Sequence, residues 1–294
     1  MASKYNTSVS GCTGQVVIGD NAKVSIVRRQ VASTSIKDEQ PSTIQVESGF
    51  PLQETTEHEI PSVTLKKGYV LIINNQEFPS RSDVERKGSA EDVKQLYQLF
   101  DDFGMTVKTI QNKTSLEMLE LLEETSEKDF TKFDCFICII LSHGSHSGIY
   151  GVDEKAVQVE SLTNKFRGST CPSLQGKPKV FFLQACRGAK KELVAVESDS
   201  EPVPIRHSGL PSDSDFLICY ASSPGYESYR NPELGSWFIR SIVDVFQNFG
   251  ETEHLMDLML RVNHRVASLN SNLGHKQMPS EVCMLTRKVY FNAP

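Results

Sequence analysis

The sequence has little that would place it in a membrane or on a nucleic acid. Its longest nearly apolar run, residues 133–141, is far too short to span a bilayer, and its first residues lack the charged start and apolar stretch of a signal sequence. Lysine and arginine are scattered, and the formal net charge is only -6, so there is no basic stripe to follow a phosphate backbone. We therefore expect no membrane partner, no nucleic-acid partner and a cytoplasmic location.

Cysteine is too sparse and too irregular for a disulfide framework. The seven cysteines are odd in number and follow no repeated spacing, which favours a reducing compartment. Cys135 and Cys138 share an apolar strand that directs them to opposite faces, and the pair His143 and His146 lacks further ligands. The sequence thus predicts no metal and no other cofactor, and cysteine chemistry should be catalytic or absent.

The composition is that of a folded protein with a polar leader. Of the 294 residues, 38% are hydrophobic and 23% are charged, which is enough apolar material to bury a core. Residues 1–64 are rich in serine, threonine, glutamine and glutamate, which predicts a mostly flexible leader. From Gly68 onward, short β-branched runs alternate with amphipathic helical patterns. This alternation predicts an α/β fold in layers, a sheet with helices on both faces.

Hydrophobic periodicity sets the expected elements. Strands are predicted near 69–73, 105–110, 133–141, 180–183, 216–220 and 282–285, and helices near 89–103, from 114 or 115, near 235–249 and near 252–268. Ser89 is expected to cap the first of these helices. The inward side chains are predicted to be Val93, Leu96, Tyr97, Phe100 and Phe103 in the first helix, and Leu116, Leu119 and Leu122 in the second.

Two of the apolar strands end in a reactive side chain. IILSHG delivers His143 and FFLQACRG delivers Cys186, and ligands gather at the carboxyl ends of strands in such sheets. A nearby base or positive charge, from His143 or from Arg187, supplies thiolate at neutral pH. A buried structural cysteine is the commoner use of such a position. A cysteine phosphatase is excluded, because Glu192 stands where that class needs its arginine.

The wider sequence favours catalysis, because five segments in the same order resemble the caspase family. They are RKGSAEDV from Arg86, SHG at 142–144, QACRG at 184–188, SYRNPELGSWF at 228–238 and KQMPSEVCMLTRKVYF near the end. The resemblance runs from Gly68 to the end of the chain. It implies a mostly parallel central sheet between two helical layers, and a cysteine endopeptidase made as a zymogen that acts in apoptosis or related programmed cell death.

The resemblance also assigns the catalytic roles. It makes Cys186 the acyl-forming nucleophile and His143 the proton shuttle, with the backbone N–H groups of Gly144 and Cys186 as the oxyanion hole. A glycine suits that hole because its amide can approach the oxygen closely. The backbone carbonyl that holds the histidine in this family corresponds to that of Val84.

The substrate pocket follows from the same resemblance. Arg86, Gln184 and Arg230 match the family's site for the aspartate before the scissile bond, since guanidinium forks and an amide donor suit a carboxylate. The residues expected to bind the substrate further upstream are Ser228, Tyr229 and Trp237.

Some pocket residues depart from the executioner pattern. Glu227 stands where executioner caspases carry an aromatic residue, Tyr229 replaces a tryptophan, and the segment 266–276 is short and has no aromatic residue. These features resemble an initiator caspase, whereas the short leader resembles an executioner. The role in cell death and the preference at the fourth upstream position stay open.

The long polar segment after Gly188 is expected to be the inter-subunit linker. The best candidate for the activating cut is Asp199, followed by Asp213. The expected organisation is therefore a leader at 1–64, a large subunit at 65–199, a linker at 200–213 and a small subunit at 214–294. Two such units are expected to form a homodimer through the last strand.

The leader contains QVVIGDNAKVSI at 15–26, which resembles amyloid-forming signalling motifs. Such a segment would assemble zymogens with one another. The simpler interpretation, an unstructured leader with a chance β-prone patch, stays open beside it. For the whole chain, the alternative to a protease is an inactive regulatory protein with the caspase fold that assembles through its leader.

Overall fold

The computed structural model describes residues 59–80, 85–188, 211–271 and 274–291, together with three strand segments in the leader. The chain forms two compact units, 1–56 and 57–294. In the first unit, β1 (Lys4–Val9), β2 (Cys12–Ile18) and β3 (Val24–Ile26) form an antiparallel sheet in that order. We did not expect regular structure here. The two β-branched runs of the 15–26 segment pair with each other, with Val16 opposite Ile26.

The second unit holds the remaining elements. Its strands are β4 (Ser62–Leu65), β5 (Gly68–Asn74), β6 (Thr106–Gln111), β7 (Cys135–Leu141), β8 (Gly144–Ser145), β9 (Gly148–Tyr150), β10 (Ala156–Val157), β11 (Lys179–Gln184), β12 (Phe216–Tyr220), β13 (Arg230–Asn231), β14 (Gly235–Ser236), β15 (Ser280–Cys283) and β16 (Lys288–Phe291). Its helices are α1 (Ser89–Asp102), α2 (Ser115–Ser126), α3 (Val159–Thr163), α4 (Trp237–Phe249) and α5 (Leu255–Ser268), with two short 3-10 turns at 164–166 and 172–174.

The central sheet of this unit has six strands in the order β15-β12-β11-β7-β5-β6. All neighbours are parallel except β15, which runs antiparallel to β12. Every residue of β5, β7 and β11 is buried, which explains why their sequences are almost continuously apolar. The predicted mostly parallel sheet is confirmed.

Helices cover both faces of the sheet, as predicted. One apolar cluster joins α1, α4 and α5 to one face of the strands, and a second cluster joins α2 and α3 to the other. Successive strand residues alternate between the clusters because a strand points neighbouring side chains to opposite faces. Cys135 belongs to the first cluster and Cys138 to the second, so these two thiols cannot share a metal.

Details of the first two helices differ from the periodicity. Gly88, with a φ of 86°, is the N-cap of α1, and the Ser89 hydroxyl donates instead to Gln76 Oε1 at 3.1 Å. Tyr97 and Leu116 were expected to face inward but are 44% and 61% exposed. Leu99 and Met118 are buried in their helices. Hydrophobic patterning located the inward face to within one residue only, because tertiary packing sets the exact rotation.

The boundary of the catalytic unit also differs from the prediction. Residues 57–64 were assigned to the leader, but β4 pairs in parallel with β16, at the far end of the chain. The strand predicted at 282–285 is β15, which ends at Cys283, and β16 had not been expected. Among the described residues, no helix is long and apolar enough to cross a membrane.

Candidate active site

The structure places His143 and Cys186 at one edge of the central sheet. β7 and β11 are neighbouring parallel strands in which Leu141 lies opposite Gln184, and each reactive residue follows its strand at the same step. The Ser142 N–H donates to the Gln184 carbonyl at 3.1 Å and continues the pairing beyond the strand ends. Two carboxyl strand ends thus bring a base and a thiol to the same edge, as the sequence indicated.

The Cys186 sulfur lies against the backbone of Ser228. The Ser228 N–H donates to Sγ at 3.4 Å, and the Ser228 hydroxyl oxygen lies 3.7 Å from it. Cys186 is half-buried, in contrast to the other cysteines of the central sheet strands β7 and β12, which are fully buried. Burial raises the pKa of the Cys135 and Cys138 thiols. Those thiols stay protonated, whereas Cys186 is only half-buried and lies at the same strand edge as His143.

Gly144 packs directly against the backbone of Cys186. A Cβ atom on this residue would lie 2.8 Å from the Cys186 carbonyl oxygen and 3.0 Å from the Ala185 Cβ. Real side chains do not approach backbone oxygen so closely. Only glycine fits here, and its backbone therefore lies beside that of Cys186, where the oxyanion hole was expected.

His143 is held by an aromatic neighbour that the sequence did not reveal. The Phe78 ring centroid lies 4.9 Å from that of the imidazole, and Phe78 is only 3% exposed. On the other side, the Tyr150 N–H donates to the His143 carbonyl at 2.9 Å. Phe78 stands in a loop, where no periodicity marks a residue as buried.

Arg86 is a fully buried guanidinium with spare hydrogen-bonding capacity. Its Nη1 donates to Asn74 Oδ1 at 3.3 Å and to the Asn75 carbonyl at 3.4 Å. Its Nε and Nη2 are buried and have no hydrogen-bond partner among the described residues. Burial, together with the positive charge of Arg230, lowers the pKa of Arg86 to about 9, while Asp92 and Cys186 act in the opposite direction. Buried donors of this kind are rare unless a ligand completes them.

Arg230 and Gln184 lie near the same point. Arg230 Nε donates to the Lys87 carbonyl at 2.8 Å, and the charge of Cys186 acts on both Arg230 and Arg86. Gln184 is 1% exposed, and its Nε2 donates to the Ser228 hydroxyl at 3.0 Å. Because a hydroxyl can also donate, this amide can turn over and present its NH2 to a carboxylate without losing Ser228.

The aromatic residues lie together beside the arginines. The Tyr229 and Trp237 rings are 5.1 Å apart, and the His275 ring stacks on Tyr229 at 6.0 Å with an angle of 21°. The Tyr229 N–H donates to Gln277 Oε1 at 2.7 Å, which fixes the backbone of this segment. His275 was not expected here, because only phenylalanine, tyrosine and tryptophan were counted as aromatic residues. An imidazole ring can stack in the same way.

Arg187, considered above as a source of positive charge for the thiol, makes other contacts. Its guanidinium lies 3.9 Å from the centre of the Tyr220 ring and donates to the Ser280 hydroxyl at 3.3 Å. Beside it, a cavity of about 340 Å³ adjoins Cys186 and is lined in part by Ser145, Gly148 and Glu160. This cavity could accommodate a segment of a bound peptide beside Cys186 and Arg187.

The predicted residues still to be placed are Val84, Asp199 and Asp213. Val84 and Asp199 lie outside the described residues. Asp213 lies in the described segment that precedes β12, where its Oδ1 is 2.5 Å from Arg167 Nε. No group of three or more metal-ligating side chains occurs in the described part of the chain.

Comparisons with known proteins identify the family of this chain. Residues 67–290 match the family model described as "Caspase domain". A curated caspase-3 of Xenopus laevis is 39% identical over 76% of this chain and 80% of its own length. A caspase-3 of Mesocricetus auratus is 36% identical over 89% of this chain and 97% of its own. A caspase-7 of Gallus gallus is 36% identical over 77% of each chain. The chain therefore belongs to the caspase family of cysteine endopeptidases.

Proposed function

We propose that this protein cleaves protein substrates after aspartate, with Cys186 as the nucleophile, His143 as the general base, and a role in apoptosis or related programmed cell death. The observation that supports this most is the buried guanidinium of Arg86, which keeps two N–H-bearing nitrogens unpaired among the described residues. A buried charge without partners is costly, and a carboxylate from the substrate would supply both the charge and the acceptors.

The residues support a two-step acyl transfer. His143 takes the thiol proton, and the Cys186 sulfur forms a bond to the scissile carbonyl carbon. The oxyanion is held by the N–H groups of Gly144 and Cys186. When the carbon–nitrogen bond breaks, His143 gives the proton to the leaving amine. Water, deprotonated by His143, then displaces the sulfur and releases the new carboxyl end.

The pocket is built to select aspartate over asparagine. Arg86 and Arg230 would meet the substrate carboxylate with two positive charges, and the Gln184 amide would add a donor. An asparagine side chain carries no charge, and its NH2 group would face these donors without being able to accept a hydrogen bond from them. A polar pocket that loses its partner in this way discriminates by roughly 10⁴-fold. Tyr229, Trp237 and Ser228 would line the path of the upstream residues.

We further propose that the protein is made as a zymogen, is cut after Asp199 and acts as a homodimer. β15 is one of the two outer strands of the central sheet, and its Val282 is 47% exposed. An open strand edge with an exposed apolar side chain suits antiparallel pairing with a second copy. The leader segment 15–26 remains a candidate for homotypic assembly before activation.

The test is cleavage of matched tetrapeptide reporters that end in aspartate or in asparagine, beside a Cys186→Ala variant. We expect turnover of the aspartate reporter alone and none with the variant. Absence of turnover on both reporters, even after the linker has been cut at Asp199, would favour the inactive regulatory protein. Equal turnover of both reporters would contradict the assigned pocket while leaving the nucleophile in place.

A further inference from the structure

A buried carboxylate lies beside the two arginines of the pocket. Asp92, in the first turn of α1, is 0% exposed. Its Oδ1 accepts a hydrogen bond from the Ser236 N–H at 2.7 Å, and its Oδ2 accepts one from the Ser236 hydroxyl at 2.5 Å. A Cβ atom on Gly235 would lie only 2.3 Å from Oδ1, so the β13–β14 hairpin is closed tightly onto this side chain.

The hairpin that Asp92 holds is the one that carries Arg230. In the two-stranded pairing of β13 with β14, Arg230 lies directly opposite Ser236. Asp92 therefore fixes the residue next to Arg230 across the hairpin, through both of its carboxylate oxygens. A side chain anchored at a paired position has little freedom to shift along the sheet.

The same hairpin packs on the turn that follows Arg86. A Cβ atom on Gly88 would lie 2.5 Å from the Asn231 carbonyl oxygen, and Arg230 donates to the Lys87 carbonyl at 2.8 Å. This turn leads straight into α1, where Asp92 stands. Asp92, Arg86 and Arg230 thus belong to neighbouring segments that pack closely on one another.

Charge joins the three residues as well. Burial raises the pKa of Asp92, whereas its hydrogen bonds with Ser236 and the positive charges of Arg86 and Arg230 lower it. In return, the negative charge of Asp92 raises the pKa of both arginines against the effect of burial. Cys186 is the other group whose charge acts on both arginines.

We propose that Asp92 is a positioning residue. It holds Arg86 and Arg230 charged and correctly spaced for recognition of the substrate. This inference rests on the proposed function, because it explains how the aspartate pocket is kept ready. It assigns no contact between Asp92 and the substrate. The carboxylate acts through the two arginines, and the substrate's own aspartate then meets a pocket that needs no rearrangement.

The first test variant is Asp92→Asn, which removes the charge and keeps the shape. Its amide oxygen can still accept from the Ser236 N–H, and its NH2 can donate to the hydroxyl, which is able to accept. We expect kcat/KM for the aspartate reporter to fall about 10-fold, mainly through KM, which corresponds to ~1.4 kcal/mol. The kcat value should stay close to that of the wild type, since the reacting atoms are untouched.

The pH profile separates this role from simple support of the fold. Arg86 has a pKa of about 9, so wild-type kcat/KM should decline as pH rises through that value. Without the negative charge of Asp92 the pKa of Arg86 falls, and more of it is neutral at a given alkaline pH. The alkaline limb should therefore move to lower pH.

Glu91→Gln is the matched control. It removes one negative charge from the neighbouring position in the same helical turn, where Glu91 faces Lys94 at 3.9 Å and is only partly buried. We expect its KM to stay within twofold of the wild-type value. Its alkaline limb should stay at the wild-type pH within experimental error. An equal shift in both variants would assign the effect to net charge and would overturn the inference.

A second variant, Ser236→Ala, keeps the charge of Asp92 and removes one of its hydrogen bonds. We expect KM to rise about threefold with the alkaline limb unmoved, because this variant removes a hydrogen bond and no charged group. If Asp92→Asn fails to fold, as judged by its thermal unfolding, Ser236→Ala decides. A KM within twofold of the wild type would then overturn the inference.

Binding measured without turnover separates this inference from the proposed function. In the Cys186→Ala background, fluorescence anisotropy reports binding of a labelled peptide that ends in aspartate, and an asparagine peptide serves as reference. If Cys186→Ala does not prefer the aspartate peptide, the proposed specificity fails and this inference fails with it. If it does prefer that peptide and Asp92→Asn changes neither the affinity nor its pH dependence, the specificity stands and only the role of Asp92 is overturned.

Discussion

At this site, the type of residue at a position is set by how little space and how little solvent surround it. Arg86 is fully buried, and a lysine at the same position would present a single ammonium group where the guanidinium presents a planar fork of donors. Gly144 faces the opposite constraint, because the backbone of Cys186 leaves no room for a side chain. The proposed function assigns the first residue to recognition and the second to catalysis.

At the residue scale we predict that Gly144→Ala lowers kcat about 100-fold. The added Cβ would meet the Cys186 carbonyl oxygen at 2.8 Å, so the Gly144 amide must move away from the position of the developing oxyanion. Steady-state kinetics on the aspartate reporter, with the melting temperature of each variant, test this expectation.

The control for this substitution is Gly168→Ala. Its added Cβ would make only ordinary contact with Gln175, at 3.4 Å, and Gly168 does not have a positive φ. Its kcat should stay within twofold of the wild type. A Gly144→Ala enzyme with normal kcat would show that this amide does not hold the oxyanion.

At the scale of elements, the segment that leads into β12 is tied to the body of the domain. The Asp213 carboxylate pairs with Arg167, and the Gly168 N–H donates to the Ser212 carbonyl at 3.1 Å. Ser214 is only 9% exposed. A protease needs an accessible, extended segment, so we expect these contacts to disfavour cleavage after Asp213.

We therefore predict that Asp199→Ala blocks processing and that Asp213→Ala does not. In the folded chain, the bond after Asp213 is restrained by the contacts of its own carboxylate and of Ser212. Mass spectrometry of the processed small subunit, incubated with active enzyme, identifies the new amino terminus in each variant. A new terminus at Ser214 in the wild-type protein would contradict this protection.

At the scale of the whole molecule, the first and last strands of the catalytic unit pair with each other. β4 and β16 form a two-stranded parallel sheet, in which Phe291 lies opposite Leu65. Leu65 is 0% exposed, and Val289 and Phe291 are each 1% exposed. All three belong to the apolar cluster that also contains α1, α4 and α5. The chain thus closes its core with a strand whose first three residues, 62–64, were assigned to the leader.

We predict that a chain beginning at residue 57 melts close to the full chain, and that one beginning at residue 66 melts roughly 5–10 °C lower. The second truncation removes the buried Leu65 and leaves the apolar side chains of β16 without their strand partner, a loss of about 3 kcal/mol. Differential scanning calorimetry of the two truncated chains measures the difference. Equal melting temperatures would mean that β4 adds nothing to stability.

The sequence by itself was sufficient for the fold class and for the two catalytic candidates. The strands that carry His143 and Cys186 are buried on both faces, so their apolar runs were visible without any structure. The motif around Cys186 then indicated the family, and the pocket residues Arg86, Gln184 and Arg230 followed from matched segments. These features depend on local composition and on short spacing, which a linear sequence records directly.

Only the tertiary structure decided which residues support that machinery. Phe78, Asp92 and His275 act across the fold, and their partners His143, Ser236 and Tyr229 lie far away in the chain. The pairing of β4 with β16 joins the two ends of the catalytic unit and has no local signal either. Contacts of this kind arise when distant segments meet in the packed core. Their geometry is set by the packing of whole layers, which no short stretch of sequence contains.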